Sequence, residues 1–357
     1  MNHERYIRQT ILDGFGSEAQ RKLSLAKVLV VGAGGLGVPV LTYLNAMGVG
    51  TLGIVDNDVV ALTNLQRQVL YSENDIGLPK VVVAIEKLEQ QNSETTLIGH
   101  TTYLSRENVF DILADYDMVV DASDNFPTRY LINDACVILK KPFVYGALHS
   151  FEGQVSVFNY KGGPTYRCIF PTMPQADEVP DCNANGVLGI IPGIIGNFQA
   201  LEVVKMITGV GEVLSGKLLL FDGLSQNSRK IKFPLIPENL NIKELNPSYD
   251  FDCSIEESSI SSEAFLNLLQ TNTIQVIDVR TPKEFKRVHL EGAHNIPLGI
   301  IDESIEKIVF DEPIYMICQS GIRSKKAISK LRKIRPNATF INVNGGMNNL
   351  NFQSVGK

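Results

Sequence analysis

A glycine-rich loop that links an apolar strand to a helix constrains this fold more than any other sequence feature. The loop, Gly32-Ala33-Gly34-Gly35-Leu36-Gly37, directly follows the apolar run Lys27–Val31. Glycines permit a tight turn and close backbone approach to a phosphate, and a helix N-terminus favours negative charge. The next apolar run, 52–56, ends in Asp56, which can take ribose hydroxyls. The loop therefore predicts a nucleotide-binding α/β fold, and the glycines alone favour an NAD-binding Rossmann domain.

Short apolar strands alternate with helical patterns through the first half of the chain. Further strands are predicted at 117–121, 142–146, 154–158 and 217–221, and a helix at 80–90. Continuous apolar strands separated by helices indicate a mostly parallel sheet that is covered on both faces. The most apolar stretch, 186–204, is interrupted by polar residues. It is predicted to be a buried helix rather than a membrane span.

Charged residues beyond the loop favour a triphosphate over a dinucleotide. Arg67 and Lys80 supply two cations, and Asp124 follows the strand predicted at 117–121. Cations neutralise phosphate oxygens, and a carboxylate at a strand end can hold Mg²⁺. A hydride-transfer site has little use for these groups. Any one of them alone would ordinarily be a solvated surface charge, but their joint spacing argues against that interpretation.

This combination strongly resembles the ubiquitin-activating superfamily, in the bacterial branch of MoeB and ThiF adenylyltransferases that activate sulfur carriers. The resemblance covers about Arg5 to Phe233 and includes the N-terminal Arg5-Tyr6-Ile7-Arg8-Gln9, the glycine loop, segment 64–68 and the pair Asp124-Asn125. It implies a Rossmann-like domain over residues 1–240, with ATP and Mg²⁺ as cofactors. The ATP-binding residues that it implies are Arg8, Gly32, Gly34, Gly35, Gly37, Asp56, Thr63, Asn64, Leu65, Gln66, Arg67, Lys80, Asp124 and Asn125.

The same resemblance implies roles for some of these residues. Asp56 would hold the ribose, Arg67 and Asp124 would be catalytic, and Asp124 would ligate Mg²⁺. Arg8 would reach the active site of a partner subunit, so a homodimer is expected.

Three cysteines are interpreted through the resemblance. Cys182 falls where the family has a mobile loop above the active site, with a thiol that can bond covalently to the carrier; an inert small hydrophobe is the alternative. Many relatives hold a structural zinc on two Cys-x-x-Cys pairs. Here Thr165 replaces the first cysteine of the first pair, Cys168 is the second, and Cys253 stands alone where the other pair should be. Since structural zinc needs four ligands, no zinc is predicted, and Cys168 is expected to be a buried structural thiol.

A second, smaller α/β domain is predicted over residues 261–357, after a linker at 241–260. The linker lies in a Pro- and Asn-rich stretch, Pro234–Ser262, that has no steady apolar period. Strands are predicted at 273–279, 313–318 and 338–343, and a basic helix at 323–335.

Cys318 lies between a predicted strand and that basic helix. The backbone N–H groups of a short glycine-containing loop and the helix N-terminus stabilise a thiolate or persulfide, and Arg323 adds positive charge. A tyrosine- or dual-specificity phosphatase is the main alternative, but such loops carry one more residue between Cys and Arg. From about Ser261 to Leu350 the motifs resemble the rhodanese domain. That resemblance implies a persulfide on Cys318 in a loop that contains Gly321, Arg323 and Ser324.

The two resemblances together imply one reaction sequence. ATP would adenylate the C-terminal glycine of a ubiquitin-like β-grasp carrier that ends in Gly-Gly. The Cys318 persulfide would then attack the acyl-adenylate, and Cys182 would help resolve the intermediate to a thiocarboxylate. The sulfur donor would be a cysteine desulfurase or thiosulfate. Molybdopterin, thiamine and tRNA-thiolation pathways are not distinguished, and a tRNA-modifying dehydratase or an NAD-linked oxidoreductase are the alternative functions.

Charge and cysteine content indicate where such a protein would work. The formal net charge of -6 argues against broad binding to nucleic acid or anionic membranes. Five cysteines are too few and too scattered for a disulfide framework, and the N-terminus lacks a signal-peptide core. A cytoplasmic location is therefore expected.

Overall fold

The computed structural model describes residues 3–174, 186–249, 258–272 and 274–350. The described chain forms two compact units, one ending at Tyr249 and the other beginning at Ser258. The helices are α1 His3–Thr10, α2 Gly16–Leu25, α3 Gly37–Ala46, α4 Lys80–Gln91, α5 Val109–Ala114, α6 Phe126–Ile138, α7 Ile190–Thr208, α8 Ser262–Thr271, α9 Pro282–Arg287 and α10 Ile322–Ile334. The strands are β1 Lys27–Val31, β2 Thr51–Val55, β3 Thr96–His100, β4 Met118–Asp121, β5 Phe143–His149, β6 Glu152–Phe158, β7 Lys217–Asp222, β8 Asn227–Lys232, β9 Ser258–Ile260, β10 Gln275–Asp278, β11 His294–Asn295, β12 Ile314–Ile317 and β13 Phe340–Val343.

An eight-stranded sheet forms the centre of the first unit, in the order β3-β2-β1-β4-β5-β6-β7-β8. The first five strands in this order are parallel and the last three are antiparallel to their neighbours, so the predicted mostly parallel sheet is confirmed. The sequence analysis missed β3 and β8. All six side chains of β8 are exposed, so this edge strand has no apolar pattern to reveal it.

Apolar clusters cover both faces of this sheet. Helix α7 packs against α3, β5 and β6. By length and composition α7 could cross a membrane, but 56% of its most apolar window is buried inside the protein. It serves as a core helix, as predicted from its polar interruptions.

The second unit contains a parallel five-stranded sheet in the order β11-β10-β12-β13-β9. The three strands predicted from sequence form its centre. Strand β9 lies inside the predicted linker and pairs with β13. It was not predicted, because three residues are too few to show a strand pattern.

Part of the linker stretch belongs to the first unit. Ile236 donates its backbone N–H to the Cys168 sulfur over 3.3 Å, and the buried Tyr249 donates its hydroxyl to Asp134 over 2.7 Å. These contacts depend on individual side chains rather than on a repeating pattern. Of the predicted linker, residues 250–257 lie outside the described residues.

Asp134 is the acceptor in a buried hydrogen-bond network that attaches Tyr249 to the first unit. Its carboxylate, almost completely buried, accepts two hydrogen bonds from Arg167, each 2.7 Å long, besides the one from Tyr249. A carboxylate that is paired and fully hydrogen-bonded can remain charged inside a protein.

Replacing Asp134 should therefore destabilise the first unit strongly. We expect Asp134→Ala to lower the free energy of unfolding by about 3 kcal/mol, since it leaves a largely buried Arg167 unpaired, and Tyr249→Phe by about 1 kcal/mol. Urea unfolding followed by far-UV circular dichroism measures both. Glu212→Ala, which breaks the exposed pair with Lys217, is the control and should change little. Equal effects of Asp134→Ala and Glu212→Ala would contradict this account.

Candidate functional site

The glycine loop lies at the carboxyl edge of the parallel strands, between β1 and α3. Strand β1 lies between β2 and β4, where the order of parallel strands reverses, and such a crevice is the usual ligand site of doubly wound sheets. Gly32 has a φ of +103°, and a Cβ atom there would lie 2.6 Å from the Ala122 carbonyl oxygen. A Cβ atom on Gly37 would lie 1.8 Å from the Gly32 carbonyl oxygen. This turn therefore requires glycine at both positions.

The structure brings the segment 62–68 against this loop. The ideal Cβ position of Gly35 lies 3.4 Å from Cγ of Arg67, and that of Gly34 lies 3.5 Å from Nε2 of the buried Gln68. Arg67 donates to the carbonyl oxygen of Thr63, and the Asn64 side chain accepts from the backbone N–H of Ala61. The predicted residues 63–67 thus form a compact turn beside the glycines, with Leu65 half-buried and Gln66 exposed.

Asp56 joins the end of β2 to the loop. Its two carboxylate oxygens accept the backbone N–H groups of Ala33 and Asp58, both over 2.8 Å. Burial raises the pKa of Asp56 above its ordinary value, although Lys80 and the two backbone donors act in the opposite direction. Each oxygen keeps a further lone pair for a ligand hydroxyl.

Lys80 has an anionic partner that sequence analysis missed. Its Nζ lies 2.8 Å from Oδ2 of Asp58; the side chain of Lys80 is 5% exposed and that of Asp58 is 57% exposed. A buried ammonium group needs such a partner when no other anion is present. The sequence Asp56-Asn57-Asp58 was the available signal that a second carboxylate lies close to Asp56.

Asp124 and Asn125 follow β4 and behave differently. Asp124 is exposed and lies three residues after Asp121, the last residue of β4. Asn125 caps α6, because its side-chain oxygen accepts the backbone N–H of Thr128 over 2.9 Å. The predicted ATP contact of Asn125 would therefore be made by a residue that already has a structural role.

A buried polar network of Asp121, Ser123 and Arg129, which sequence analysis missed, supports this strand end. Asp121 accepts from the backbone N–H and hydroxyl of Ser123, while Arg129 donates to the Ser123 carbonyl oxygen over 3.3 Å. Burial raises the pKa of Asp121, and the Arg129 charge partly offsets this. The guanidinium also lies over the rings of Phe126 and Tyr145. These contacts fix the backbone immediately before Asp124.

Arg8 is not brought to the glycine loop of its own chain. Neighbouring side chains hold α1 at the far end of α3: Gln9 donates to the Met47 carbonyl oxygen, and the buried Tyr6 packs against Gly48. The ten residues of α3 put this end about 15 Å from the loop. Arg8 itself is exposed.

Cys168 is half-buried, so the expectation of a buried thiol is wrong. Its sulfur lies near the surface, where it accepts hydrogen bonds from Thr165, from the backbone N–H of Ile236 and from the Asn239 amide. Burial alone would raise the thiol pKa, but these donors together bring it below its ordinary value. Within the described residues, no group of three or more His, Cys, Asp or Glu could hold a metal. Cys182 and Cys253 lie outside the described residues.

In the second unit, Cys318 follows β12 in a turn of converging donors. Its sulfur is buried and accepts the Gly321 N–H over 3.1 Å and lies 3.4 Å from the Ser324 hydroxyl. Gly321 has a φ of +90° and directly precedes α10. A Cβ atom on Gly346 would lie 2.2 Å from the Cys318 carbonyl oxygen, so a neighbouring loop closes tightly on the turn. Backbone donors at a helix N-terminus suit a sulfur anion.

Arg323, which the sequence analysis expected to add positive charge near the sulfur, pairs with a carboxylate. It donates two hydrogen bonds, of 2.9 and 2.7 Å, to Glu284, which also caps α9 through Thr281. Hydrogen bonding from Arg323 lowers the pKa of Glu284 to about 2.

A second arginine, which sequence analysis missed, contacts the loop that contains Cys318. Arg280 is buried, paired with Asp278, and donates to the Gln319 side chain over 3.2 Å. The spacing Thr281-x-x-Glu284 is a sequence signal for a helix start, and Asp278-x-Arg280 is one for a local ion pair. No local pattern shows which carboxylate each arginine pairs with.

Comparison with known proteins supports both units. The ThiF family matches residues 6–240, and the rhodanese-like domain matches residues 261–351. The adenylyltransferase and sulfurtransferase MOCS3 of Aedes aegypti is 40% identical over 358 residues, which span 92% of this chain and 82% of that protein. The protein of the same name from Arabidopsis thaliana is 39% identical over 367 residues, spanning 92% of this chain and 79% of that protein.

Solved structures show the same fold over about two thirds of this chain. E. coli MccB with ATP superimposes with a TM-score of 0.57 at 22% identity, covering 64% of this chain and 69% of that chain. MccB with MccA-N7isoASN gives a TM-score of 0.60, also at 22% identity, and covers 68% and 75% of the two chains. The predicted family and the predicted class of enzyme are confirmed. The chain belongs to the ThiF family, carries a rhodanese-like domain after its ThiF domain, and is similar to the MOCS3 adenylyltransferases and sulfurtransferases over 92% of its length.

Proposed function

We propose that this enzyme adenylates the C-terminal glycine of a ubiquitin-like β-grasp carrier ending in Gly-Gly and then delivers sulfur to it from a Cys318 persulfide. One observation carries the proposal. The same chain contains a crevice at a glycine-rich loop, of the kind that binds phosphates, and a thiol in a turn that supplies hydrogen-bond donors. A carboxylate does not react with sulfide at neutral pH, whereas an acyl-adenylate has a good leaving group. The crevice cations speak against an NAD-linked oxidoreductase, and the second unit speaks against a tRNA-modifying dehydratase.

In the first step ATP occupies the crevice between β2, β1 and β4. The glycine-loop N–H groups and the N-terminus of α3 face the phosphates, and Asp56 takes ribose hydroxyls with its free lone pairs. Lys80 exchanges Asp58 for a phosphate oxygen, and Arg67 with Asn64 completes the phosphate site. A carrier carboxylate oxygen then attacks the α-phosphorus, and pyrophosphate leaves with the bonding electron pair.

The residues present are compatible with Mg²⁺. This ion commonly takes one or two protein carboxylates together with substrate phosphates, and Asp124 is an exposed carboxylate at the crevice. Asp124 would hold the ion, which would neutralise phosphate charge when bound. The Asp121–Ser123–Arg129 network keeps the backbone of Asp124 in place for this purpose.

In the second step the terminal sulfur of the Cys318 persulfide attacks the acyl carbon, and AMP leaves. The product is an acyl disulfide between the carrier and Cys318. Attack by the Cys182 thiolate on the Cys318 sulfur releases the carrier thiocarboxylate and leaves a Cys182–Cys318 disulfide, which a cellular thiol reduces. The role of Cys182 rests on the sequence alone.

A homodimer completes this proposal. Arg8 cannot reach the crevice of its own chain, because α1 lies at the far end of α3. In addition, six large apolar side chains between residues 59 and 82 are exposed. They are Val59, Leu62, Val69, Ile76, Leu78 and Val82. Such a concentration of exposed apolar side chains is typical of a surface that another chain covers. A two-fold dimer would place each Arg8 in the partner's crevice.

Other parts of the proposal rest on sequence reasoning. They are a cysteine desulfurase or thiosulfate as sulfur donor, a cytoplasmic location, no direct nucleic-acid or membrane partner, and no structural zinc.

Asp124→Ala should abolish adenylation without unfolding the protein. The exposed carboxylate contributes little to the core, whereas loss of Mg²⁺ from the phosphates removes charge neutralisation that the reaction needs. ATP–pyrophosphate exchange, measured with carrier and excess Mg²⁺, should fall at least about 100-fold. Asp111→Ala, an exposed carboxylate on α5, is the control. Near-native exchange by a folded Asp124→Ala variant would remove this residue from the site.

The two cysteines should affect different steps. Cys318→Ala should spare adenylation but stop persulfide loading from thiosulfate and thiocarboxylate formation. Cys182→Ala should spare adenylation and loading but slow transfer. Mass spectrometry of the carrier after incubation with ATP and thiosulfate measures the yield, with Cys168→Ser as the thiol control. A normal thiocarboxylate yield from Cys318→Ala would show that sulfur enters by another route.

Subunit mixing tests whether Arg8 acts in the partner's site. Arg8→Ala and Asp124→Ala should each be inactive alone. In a mixed dimer one of the two sites regains both residues, so random exchange should restore about a quarter of native exchange activity. Dimer formation is checked by light scattering. No recovery from proven mixed dimers would mean that Arg8 does not act across a dimer interface.

A further inference from the structure

A line of buried polar side chains leads away from the Cys318 sulfur. Cys318, Ser324 and Asn342 are all fully buried. The Ser324 hydroxyl lies 3.4 Å from the sulfur and 2.7 Å from Oδ1 of Asn342 on β13. The Asn342 amide nitrogen donates to the Asn344 side chain over 3.2 Å, which directs the amide oxygen toward Ser324.

Ser324 has one hydroxyl proton for three acceptors. They are the Asn342 oxygen at 2.7 Å, the Gly321 carbonyl oxygen at 3.0 Å and the Cys318 sulfur at 3.4 Å. A neutral thiol is a weak acceptor, so the proton goes to Asn342. An ionised sulfur is a strong, charged acceptor and attracts the proton instead. That exchange leaves the buried Asn342 oxygen without its donor, which disfavours the ionised state.

We propose that Asn342 is a positioning residue that competes with the Cys318 sulfur for the Ser324 proton and so sets the pH range of sulfur loading. Asn342 acts only through Ser324. The inference rests on the proposed role of Cys318 as the sulfur-carrying thiol.

The two arginines near the Cys318 loop each have a carboxylate partner. On β10 and the following turn, Asp278 pairs with Arg280, and on α9 Glu284 pairs with Arg323 of α10; Lys325 lies further along α10. Residues 338–350, which include β13 and the loop that closes on Cys318, contain no ionisable side chain. The Ser324 hydroxyl is therefore a donor whose direction can change without separating an ion pair.

The pH dependence of sulfur loading tests this inference on the full chain. In the assay the Cys318 thiolate attacks the outer sulfur of thiosulfate, sulfite leaves with the electron pair, and cyanide then removes the sulfur as thiocyanate. The acid limb of kcat/KM for thiosulfate gives the pH midpoint of sulfur loading in the free enzyme. Asn342→Leu should move that midpoint lower by about 0.7 pH unit, equivalent to one ordinary hydrogen bond. Ser324→Ala should move it higher by at least as much.

The double variant decides whether Asn342 acts through Ser324. Ser324→Ala combined with Asn342→Leu should titrate like Ser324→Ala alone. An undiminished shift by Asn342→Leu in the Ser324→Ala background, or no downward shift in the native background, would overturn the inference. Should Asn342→Leu not fold, Asn342→Val suits a strand and carries the same expectation.

Two further variants separate this inference from its premise. Ser329→Ala, a same-type change later in α10, should leave the pH profile unchanged, and a shift there equal to that of Ser324→Ala would also overturn the inference. Cys318→Ala should show no sulfur loading at any pH. Retained loading by Cys318→Ala would refute the proposed function of the thiol, whatever the Asn342 variants show.

Discussion

The first unit depends on a turn after β1 that has no room for a Cβ atom at Gly32 or Gly37. The Gly32 carbonyl oxygen occupies the space that a Cβ atom of Gly37 would need, and Gly32 itself lies against the backbone of Ala122. This close approach lets α3 begin immediately beside the ends of β1 and β4. The crevice exists because three backbone segments meet there, and Asp56 ties the turn to β2 through Ala33.

Both units share one backbone arrangement. In each, a strand ends, a glycine with positive φ redirects the chain, and a helix begins within a few residues. The electrostatic surroundings differ. The crevice has a lysine with an exposed, displaceable partner, whereas the arginines near Cys318 are held by Asp278 and Glu284. The proposed occupants, a polyanion in the crevice and a sulfur anion at Cys318, place different demands on the surrounding charge.

Strand ends and turns could be predicted from the sequence, but most pairings could not. Apolar runs and glycines are local signals, and they located β1, β2, β4, β12 and the two loops. The pair Glu284–Arg323 joins residues 39 positions apart, and no periodicity reveals it. Asn125 has the residue type of a ligand and a helix cap at once, and only the bond from Thr128 shows that it caps α6. Cys168 accepts hydrogen bonds from Ile236 and Asn239, 68 and 71 positions away, and no local pattern encodes these contacts.

The ion pair between Lys80 and Asp58 gives the crevice a built-in counter-ion. A ligand gains the attraction of the lysine only after displacing a carboxylate that already satisfies it. A small anion such as inorganic phosphate offers little beyond that exchange, because it cannot also reach Asp56 and the glycine loop. A nucleotide bound as proposed would make all of these contacts together and so offset the displaced bond. In that binding mode the buried lysine discriminates against the simple anions that are abundant in solution, because they gain little beyond the exchange of one carboxylate.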